Sequence, residues 1–211
     1  MTLQNWSQDF VQKSHPTREL LIEAVIDLMK NVRLEEITSE LVIEVSGISK
    51  GSLYHHFNDF PELLEFAYVE VFARLATIQL TAFENMLESF KTREDFLKGN
   101  RKISHGNKAP EIASLRLARV TAIAMAMNSP RMAKMLGKVQ DEVTDWITRL
   151  FLQVQEKGWC RKDFDPRTFA VFIQAYQVGS VINLLTPQRM DPEAWIDLID
   201  EIWESVIFQQ A

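Results

Sequence analysis

Apolar residues recur along this chain at intervals of three and four, the period of an α-helix with one face on a core. Trp195, Leu198, Ile199, Ile202, Trp203, Val206 and Ile207 form one such stripe. Met132, Met135, Val139, Val143, Trp146, Leu150 and Val154 form another, between Pro130 and Gly158. Both read as core, because helix stability comes mainly from burying an apolar face. Phe60 to about Phe90 reads as one long helix, with Leu64, Ala67, Val71, Leu75, Ile78, Ala82 and Met86 inward. The stretch from Pro166 to Leu185 is apolar nearly all round. A helix of that kind must bury more than one face. One face would pack in its own core and the other on a second subunit, most simply in a symmetric dimer. Phe169, Ile173, Val181, Leu184, Trp195, Ile199, Ile202 and Trp203 are the expected dimer-interface residues.

The punctuation between these stripes is helical. Pro16, Pro61, Pro110, Pro130, Pro166 and Pro192 stand just before or inside the start of an apolar-periodic segment. Proline suits the first helical turn, where its missing N–H would be unpaired anyway. Ser129, Asp165 and Asp191 directly precede three of them as capping residues. Thr92 to Asp95 resembles a capping box with Asp as the reciprocal acid. Gly158 and the Gly99–Gly106 stretch are placed as helix stops. No segment shows sustained strand alternation bounded by hairpin turns. The expected fold is all-α, with about nine helices.

Near the N-terminus three helical segments come close together. Thr17 to Asn31 makes one helix with Leu21, Ala24, Val25 and Leu28 inward. Thr38 can cap a short helix over Ser39 to Ser46, and Ser49 a second over Lys50 to Phe57. Gly47 between them can take the left-handed conformation that ends the first. Ile48, Leu53 and Phe57 can pin the second onto its neighbours. Two short helices joined by a tight glycine turn and braced by a third make a helix-turn-helix.

The run Gly47-Ile48-Ser49-Lys50-Gly51-Ser52-Leu53-Tyr54-His55-His56-Phe57 resembles the recognition segment of the TetR family of bacterial transcription regulators. The resemblance covers about Thr17 to Leu64, and Gly158 to Pro166 looks like the family's link into its dimerising helices. It implies three regions: an N-terminal extension (1–16), a helix-turn-helix DNA-binding domain (17–62), and a helical ligand-binding and dimerisation domain (63–211). It also implies a cytoplasmic dimer that binds a palindromic double-stranded DNA operator as a repressor and is released by a small effector.

The recognition segment makes physical sense unaided. A major groove admits one α-helix, whose N-terminal residues reach base edges. Gly51 and Ser52 are small enough for close backbone approach, and Lys50 can reach a phosphate or a guanine edge. Ser52, Tyr54, His55 and His56 offer hydroxyl and imidazole groups. The helix N-termini capped by Thr38 and Ser49 suit phosphate oxygens. By resemblance Thr38, Lys50, Tyr54 and His55 are the leading contacts. The competing reading packs Tyr54 or His56 against the helix starting near Pro61. Three positions depart from the family pattern. Phe60 stands where a phosphate-gripping lysine is usual, Arg33 where a glycine ends the first helix, and Leu41 where a polar residue is frequent.

Downstream, the resemblance implies a mostly apolar effector cavity lined by some of Leu75, Ile78, Met125, Trp146, Phe172 and Tyr176, each of which also reads as ordinary core. Arg116 and Arg119 lie three apart, as an anion site or a solvated, salt-bridged face. The short apolar positions Leu3, Trp6 and Phe10 form a stripe that docks or stays unstructured.

Charge complicates the picture. The chain has 29 acidic against 23 basic residues, a net charge of -6, whereas nucleic-acid binders usually show a basic face. The first 65 residues carry the whole excess. Glu19, Glu23 and Asp27 recur every four residues there, as on one solvated face. Few phosphate contacts and a shallow salt dependence follow. An alternative function follows too: a TetR-like ligand-sensing or protein-interaction module with weak or lost DNA binding.

Other chemistries find little support. The single cysteine, Cys160, allows no disulfide framework, and without a resolving partner it reads as inert. The four histidines form no zinc pattern. No phosphate loop or nucleophile elbow occurs, so neither cofactor, metal nor enzymatic activity is expected. No apolar stretch approaches the ~20 residues of a membrane span, and none near the N-terminus suits a signal peptide. The expectation is a soluble protein of a reducing compartment.

Overall fold

The computed structural model describes residues 15–106 and 110–208. The stripe of Leu3, Trp6 and Phe10 lies outside them. The described residues hold nine α-helices and no strand. In chain order these are α1 (Pro16–Leu28), α2 (Ser39–Ser46), α3 (Lys50–His56), α4 (Phe60–Ser89), α5 (Arg93–Gly106), α6 (Pro110–Asn128), α7 (Pro130–Glu156), α8 (Pro166–Gly179) and α9 (Pro192–Ile202). Helix α8 tightens into a 3-10 segment over Ser180–Leu185, and α9 loosens into a π turn over Trp203–Ile207.

The starts of these helices follow from the capping chemistry. Ser129 Oγ accepts from the Met132 N–H at 3.2 Å, Asp165 Oδ2 from that of Thr168 at 2.7 Å, and Asp191 Oδ1 from that of Glu193 at 3.0 Å. Thr92 and Asp95 close a reciprocal box: the Asp95 N–H donates to Thr92 Oγ1 at 3.1 Å, and the Thr92 N–H to Asp95 Oδ2 at 3.0 Å. Each cap fills donors that the first turn leaves open.

The chain forms two compact units, residues 15–77 with 122–140, and residues 78–121 with 141–208. In the first, α1, α2 and α3 pack on one another. Their core joins Leu21, Val25, Leu28, Val42, Leu53 and Phe57 with Leu63 and Ala67 of α4. The buried face of α4 is not the expected one. Leu63, Ala67, Val69, Phe72, Ala73 and Ala76 are buried, whereas Leu64, Val71 and Leu75 are only partly covered and Ile78 and Ala82 are exposed. The helix start is apolar on several sides, so spacing alone leaves its rotation open. Glu65 and Glu70 lie on that buried side. Each is held by an arginine: Glu65 by Arg131 Nε at 2.5 Å, and Glu70 by Arg74 Nε at 2.7 Å. A buried carboxylate needs such a partner. Arg74 also binds Glu23 of α1, so that residue of the expected solvated face is in fact an anchor between helices.

The second unit is built on aromatic rings. Phe96 stacks on Trp159 at 5.6 Å and meets Phe208 edge-on at 4.9 Å. Trp203 stacks on Phe208 at 5.6 Å and meets Phe169 at 5.0 Å. After Gly158, which sits at φ 71°, Gln155 Nε2 holds the link by donating to the carbonyls of Arg161 and Phe164, each at 3.2 Å. Gly99 is no helix stop but an interior residue of α5. A Cβ there would overlap the ring of Phe90, so close packing rather than helix termination explains the glycine.

The span Pro166–Leu185 is more apolar than a count of unbroken apolar residues gives. Its most apolar 18-residue window has a mean hydropathy of 1.4, so the span is long and apolar enough, by length and composition only, to cross a membrane. Counting unbroken apolar residues missed it because Gln174, Gln177 and Asn183 interrupt the run. Only 22% of its most apolar window is buried. One interruption has an internal role: Gln174 Nε2 donates to Thr144 Oγ1 at 3.1 Å and to the Ala170 carbonyl at 3.0 Å.

Candidate nucleic-acid interface

The site begins with two capped helix starts. Thr38 Oγ1 accepts from the Leu41 N–H at 3.2 Å, and Ser49 Oγ from the Ser52 N–H at 3.2 Å. Between α2 and α3, Gly47 takes φ 67° and its N–H donates to the Ile43 carbonyl at 3.0 Å. Only glycine reaches that region without a steric penalty. Ser46 Oγ accepts from the Ile48 N–H at 3.2 Å and tightens the turn. Leu53 and Phe57 are buried in the unit's core, which sets the rotation of α3. The opposite face is therefore open.

Of the expected DNA contacts, Thr38, Ser49, Lys50, Gly51, Tyr54 and His55 are exposed, and Ser52 and His56 half-buried. Lys50, Gly51, Tyr54 and His55 share one side, at offsets of one, four and five residues. Tyr54 keeps 43% of its surface exposed, so it is not folded away into the core. His56 packs instead toward the start of α1. Its ring centroid lies 4.8 Å from that of His15 and 5.1 Å from that of His55. Burial, then His15, His55 and Arg18, holds the His56 imidazole below its ordinary pKa. His15, not singled out by the sequence pattern, caps α1 by accepting from the Thr17 N–H at 3.2 Å.

The electrostatics of this face are unusual for a DNA binder. Lys50 Nζ stands 3.9 Å from Glu40, Lys30 bonds Asp27 at 2.6 Å, and Arg33 bonds Glu36 at 2.5 Å. The Glu40 carboxyl is held below the usual range by its own backbone N–H, then Ser39 and Lys50. Arg18 lies over the rings of Phe66 at 4.0 Å and Phe57 at 4.8 Å, with burial lowering its pKa. Such stacking uses the guanidinium as a packing element. Phe60 joins the edge of the core, so the position where a lysine is usual contributes no charge. Leu41 packs there too, and Arg33 stays at the surface.

The expected effector-pocket residues are distributed over both units. Leu75 and Met125 belong to the first, and Ile78, Arg116, Arg119, Trp146, Phe172 and Tyr176 to the second. Trp146 is buried, whereas Ile78 and Phe172 are exposed rather than lining an interior. Arg116 and Arg119 are half-buried, and burial lowers both pKa values. Arg116 and Tyr176 also feel each other's charge, and burial raises the Tyr176 phenol. The Cys160 thiol is buried and pushed up to about 11, as suits an inert thiol.

Four of the expected interface residues are core. Phe169, Val181, Ile199 and Trp203 are buried within their own chain. They sit on the inward side of amphipathic helices, which periodicity cannot tell from an interface side. Ile173, Trp195 and Ile202 are half-buried. Leu184 is exposed, as are Val171, Phe172, Ile182, Leu185 and Leu198.

One family profile and three known proteins resemble this chain. A family profile described as "BetI-type transcriptional repressor, C-terminal" matches residues 113–207, a region that includes the Gly158–Pro166 link. The HTH-type transcriptional regulator UidR of Escherichia coli K12 is 21% identical over 153 residues, covering 72% of this chain and 74% of its own. A Rhodococcus sp. protein described as a TetR-family transcriptional regulator superposes with a TM-score of 0.64 at 23% identity, over 91% of this chain and 99% of its own. A Saccharomonospora viridis transcriptional regulator solved with choline superposes with a TM-score of 0.67 at 16% identity, over 91% and 97%.

Proposed function

We propose that this chain is a DNA-binding transcriptional regulator of the TetR family, acting in the bacterial cytoplasm as a dimeric repressor released by a small effector. The observation that carries this reading is the open face of α3. Lys50, Gly51, Tyr54 and His55 share it, opposite the buried Leu53 and Phe57. The N–H groups of the starts capped by Thr38 and Ser49 add phosphate contacts. The profile matched by residues 113–207 supports repression. The exposed apolar residues Val171, Phe172, Ile182, Leu185 and Leu198 support a dimer, since uncovered apolar area of this kind marks an interaction surface.

Two recognition helices then read half-sites about one DNA turn apart, ~34–36 Å. The effector acts by binding better to one spacing of those helices than to the other. Arg116, Arg119 and Tyr176 favour an effector that is largely apolar with one anionic group. Burial strengthens an arginine–anion contact, because less water competes.

The test is selection of bound sequences from random duplex DNA, followed by salt titration of the best site. A palindromic site is expected. Its affinity should fall by roughly 0.9 log unit per log unit of salt for each phosphate neutralised, with few phosphates in total. Selection that enriches no sequence would overturn the reading and leave the acidic N-terminal unit as a protein-binding module.

A further inference from the structure

Glu40 is the second residue of α2 and Lys50 the first of α3. Their charged groups stand 3.9 Å apart, Lys50 Nζ against Glu40 Oε1. Lys30 and Arg33 reach carboxylates within three residues of themselves, whereas Lys50 meets one from the other helix of the motif. Folding does not account for this contact. Lys50 keeps 68% of its side chain exposed and Glu40 73%, and exposed pairs of this kind contribute little to stability. The Glu40 carboxylate is also aimed. Ser39 Oγ donates to its Oε2 at 3.0 Å, which leaves Oε1 toward Lys50. Its own backbone N–H, then Ser39 and Lys50, favour the ionised form.

A carboxylate on a surface that meets DNA has few uses. Phosphates repel it, and when ionised it can only accept hydrogen bonds. The major groove offers it two donors, cytosine N4 and adenine N6. Lys50 leads the helix whose N-terminal residues reach base edges, and its ammonium can only donate. Together the two side chains present a donor group next to an acceptor. A G·C pair presents the converse: guanine N7 and O6 accept side by side, and cytosine N4 donates next to them. On an A·T pair the amine stands between single acceptors, N7 and O4, so no two acceptors adjoin for one ammonium.

We infer that Glu40 and Lys50 together read one G·C pair in each operator half-site, with Lys50 donating to guanine and Glu40 accepting from cytosine N4. This rests on the DNA-binding reading above and deepens it, making Glu40 a specificity-determining residue. Its charge also weakens the pull of Lys50 on phosphates of any sequence, so that binding depends more on the correct base pair.

Selection from random duplex DNA with the native chain and with Glu40→Gln tests this. Fluorescence-anisotropy titration at fixed salt then compares the best site with versions carrying each base pair at the position concerned. The native chain should enrich G·C at one symmetric pair of positions, and A·T there should weaken binding about tenfold. Glu40→Gln should lose that preference and keep the rest of the site. Lys50→Met should lose it at the same position. Both residues are exposed, so both variants should melt as the native chain does. Glu156→Gln, the same charge removed at the end of α7, should leave every position unchanged. A uniform rise in affinity for all sequences, with the base profile intact, would make Glu40 only a screen of the Lys50 charge and overturn the inference. Loss of preference at different positions in the two variants would overturn it too. A native chain that enriches no sequence would overturn the DNA-binding reading and this inference with it. An enriched site that Glu40→Gln reads unchanged would overturn this inference alone.

Discussion

Replacing Arg131 by methionine should cost this protein about 2 kcal/mol, set between the limits for buried and exposed ion pairs. Arg131 lies in the first turn of α7. It reaches Glu65 through Nε at 2.5 Å and Asp59 through its two terminal nitrogens at 3.1 and 3.4 Å. The Glu65 side chain is 8% exposed, Arg131 35% and Asp59 50%. Losing one partner of a fully buried pair costs ~3–5 kcal/mol, because the other charge is stranded. Exposed pairs are worth ~0–1 kcal/mol. The Glu65 bond lies between these limits, since one end is dry and the other a third wet, and the Asp59 bonds sit near the lower one. In a chain of this length ~2 kcal/mol corresponds to ~4–8 °C in melting temperature.

The assay is thermal unfolding by circular dichroism at fixed protein concentration, as a double-mutant cycle with Glu65→Gln. The glutamine keeps the shape and removes the charge, so it should lose about half as much. The double variant should be no less stable than Arg131→Met alone, because no charge is then stranded. Operator affinity should fall with stability. Asp59 also accepts from the Glu62 N–H at 2.7 Å and so anchors the start of α4, two residues after the core residue Phe57. A melting temperature for Arg131→Met within about 1 °C of native would refute the reasoning, because it would mean that Glu65 is solvated after all. Additive losses in the double variant would refute it as well.

Three further outcomes are expected. Tyr54→Ala should leave melting unchanged and weaken operator binding by ~1–3 kcal/mol; equal affinity in a fluorescence-anisotropy titration would remove Tyr54 from the contacts. Gly99→Ala should destabilise, since overpacking at ~1–3 kcal/mol outweighs the ~1 kcal/mol helix-propensity gain. Adding Phe90→Leu should restore the loss. Because His56 is held below its ordinary pKa, the folded chain takes up that proton less readily than the unfolded one. Stability from this group is therefore present above about pH 6.5 and lost as pH falls toward the folded value. His56→Gln should flatten that part of a melting-temperature profile.

Helix starts were legible in the sequence because their chemistry is local. Thr38, Ser49, Thr92, Ser129, Asp165 and Asp191 each cap through an oxygen two or three residues from the N–H it fills. Gly47 was legible for the same reason: its positive φ is a property of one residue in one turn. The exposed side of α3 followed from the spacing of Leu53 and Phe57. The acidity of the N-terminal unit was countable, but what it does to the basic side chains was not. Lys50 has Glu40 ten residues before it, and Arg18 lies on rings 39 and 48 residues away.

The sequence by itself determined that the described residues are helical, where most helices begin, and which short helix leaves polar groups exposed. Each of these depends on neighbours within about one turn, whose geometry the backbone sets. Tertiary structure decided the rest. It chose which side of α4 is buried, why Gly99 is a glycine, and that Phe169, Ile199 and Trp203 are core rather than open interface. It also joined Arg131 to Glu65, and α5 to the carboxylates of α9. Those outcomes depend on groups brought together from distant parts of the chain, and a periodic pattern states that a face is apolar without stating what will cover it.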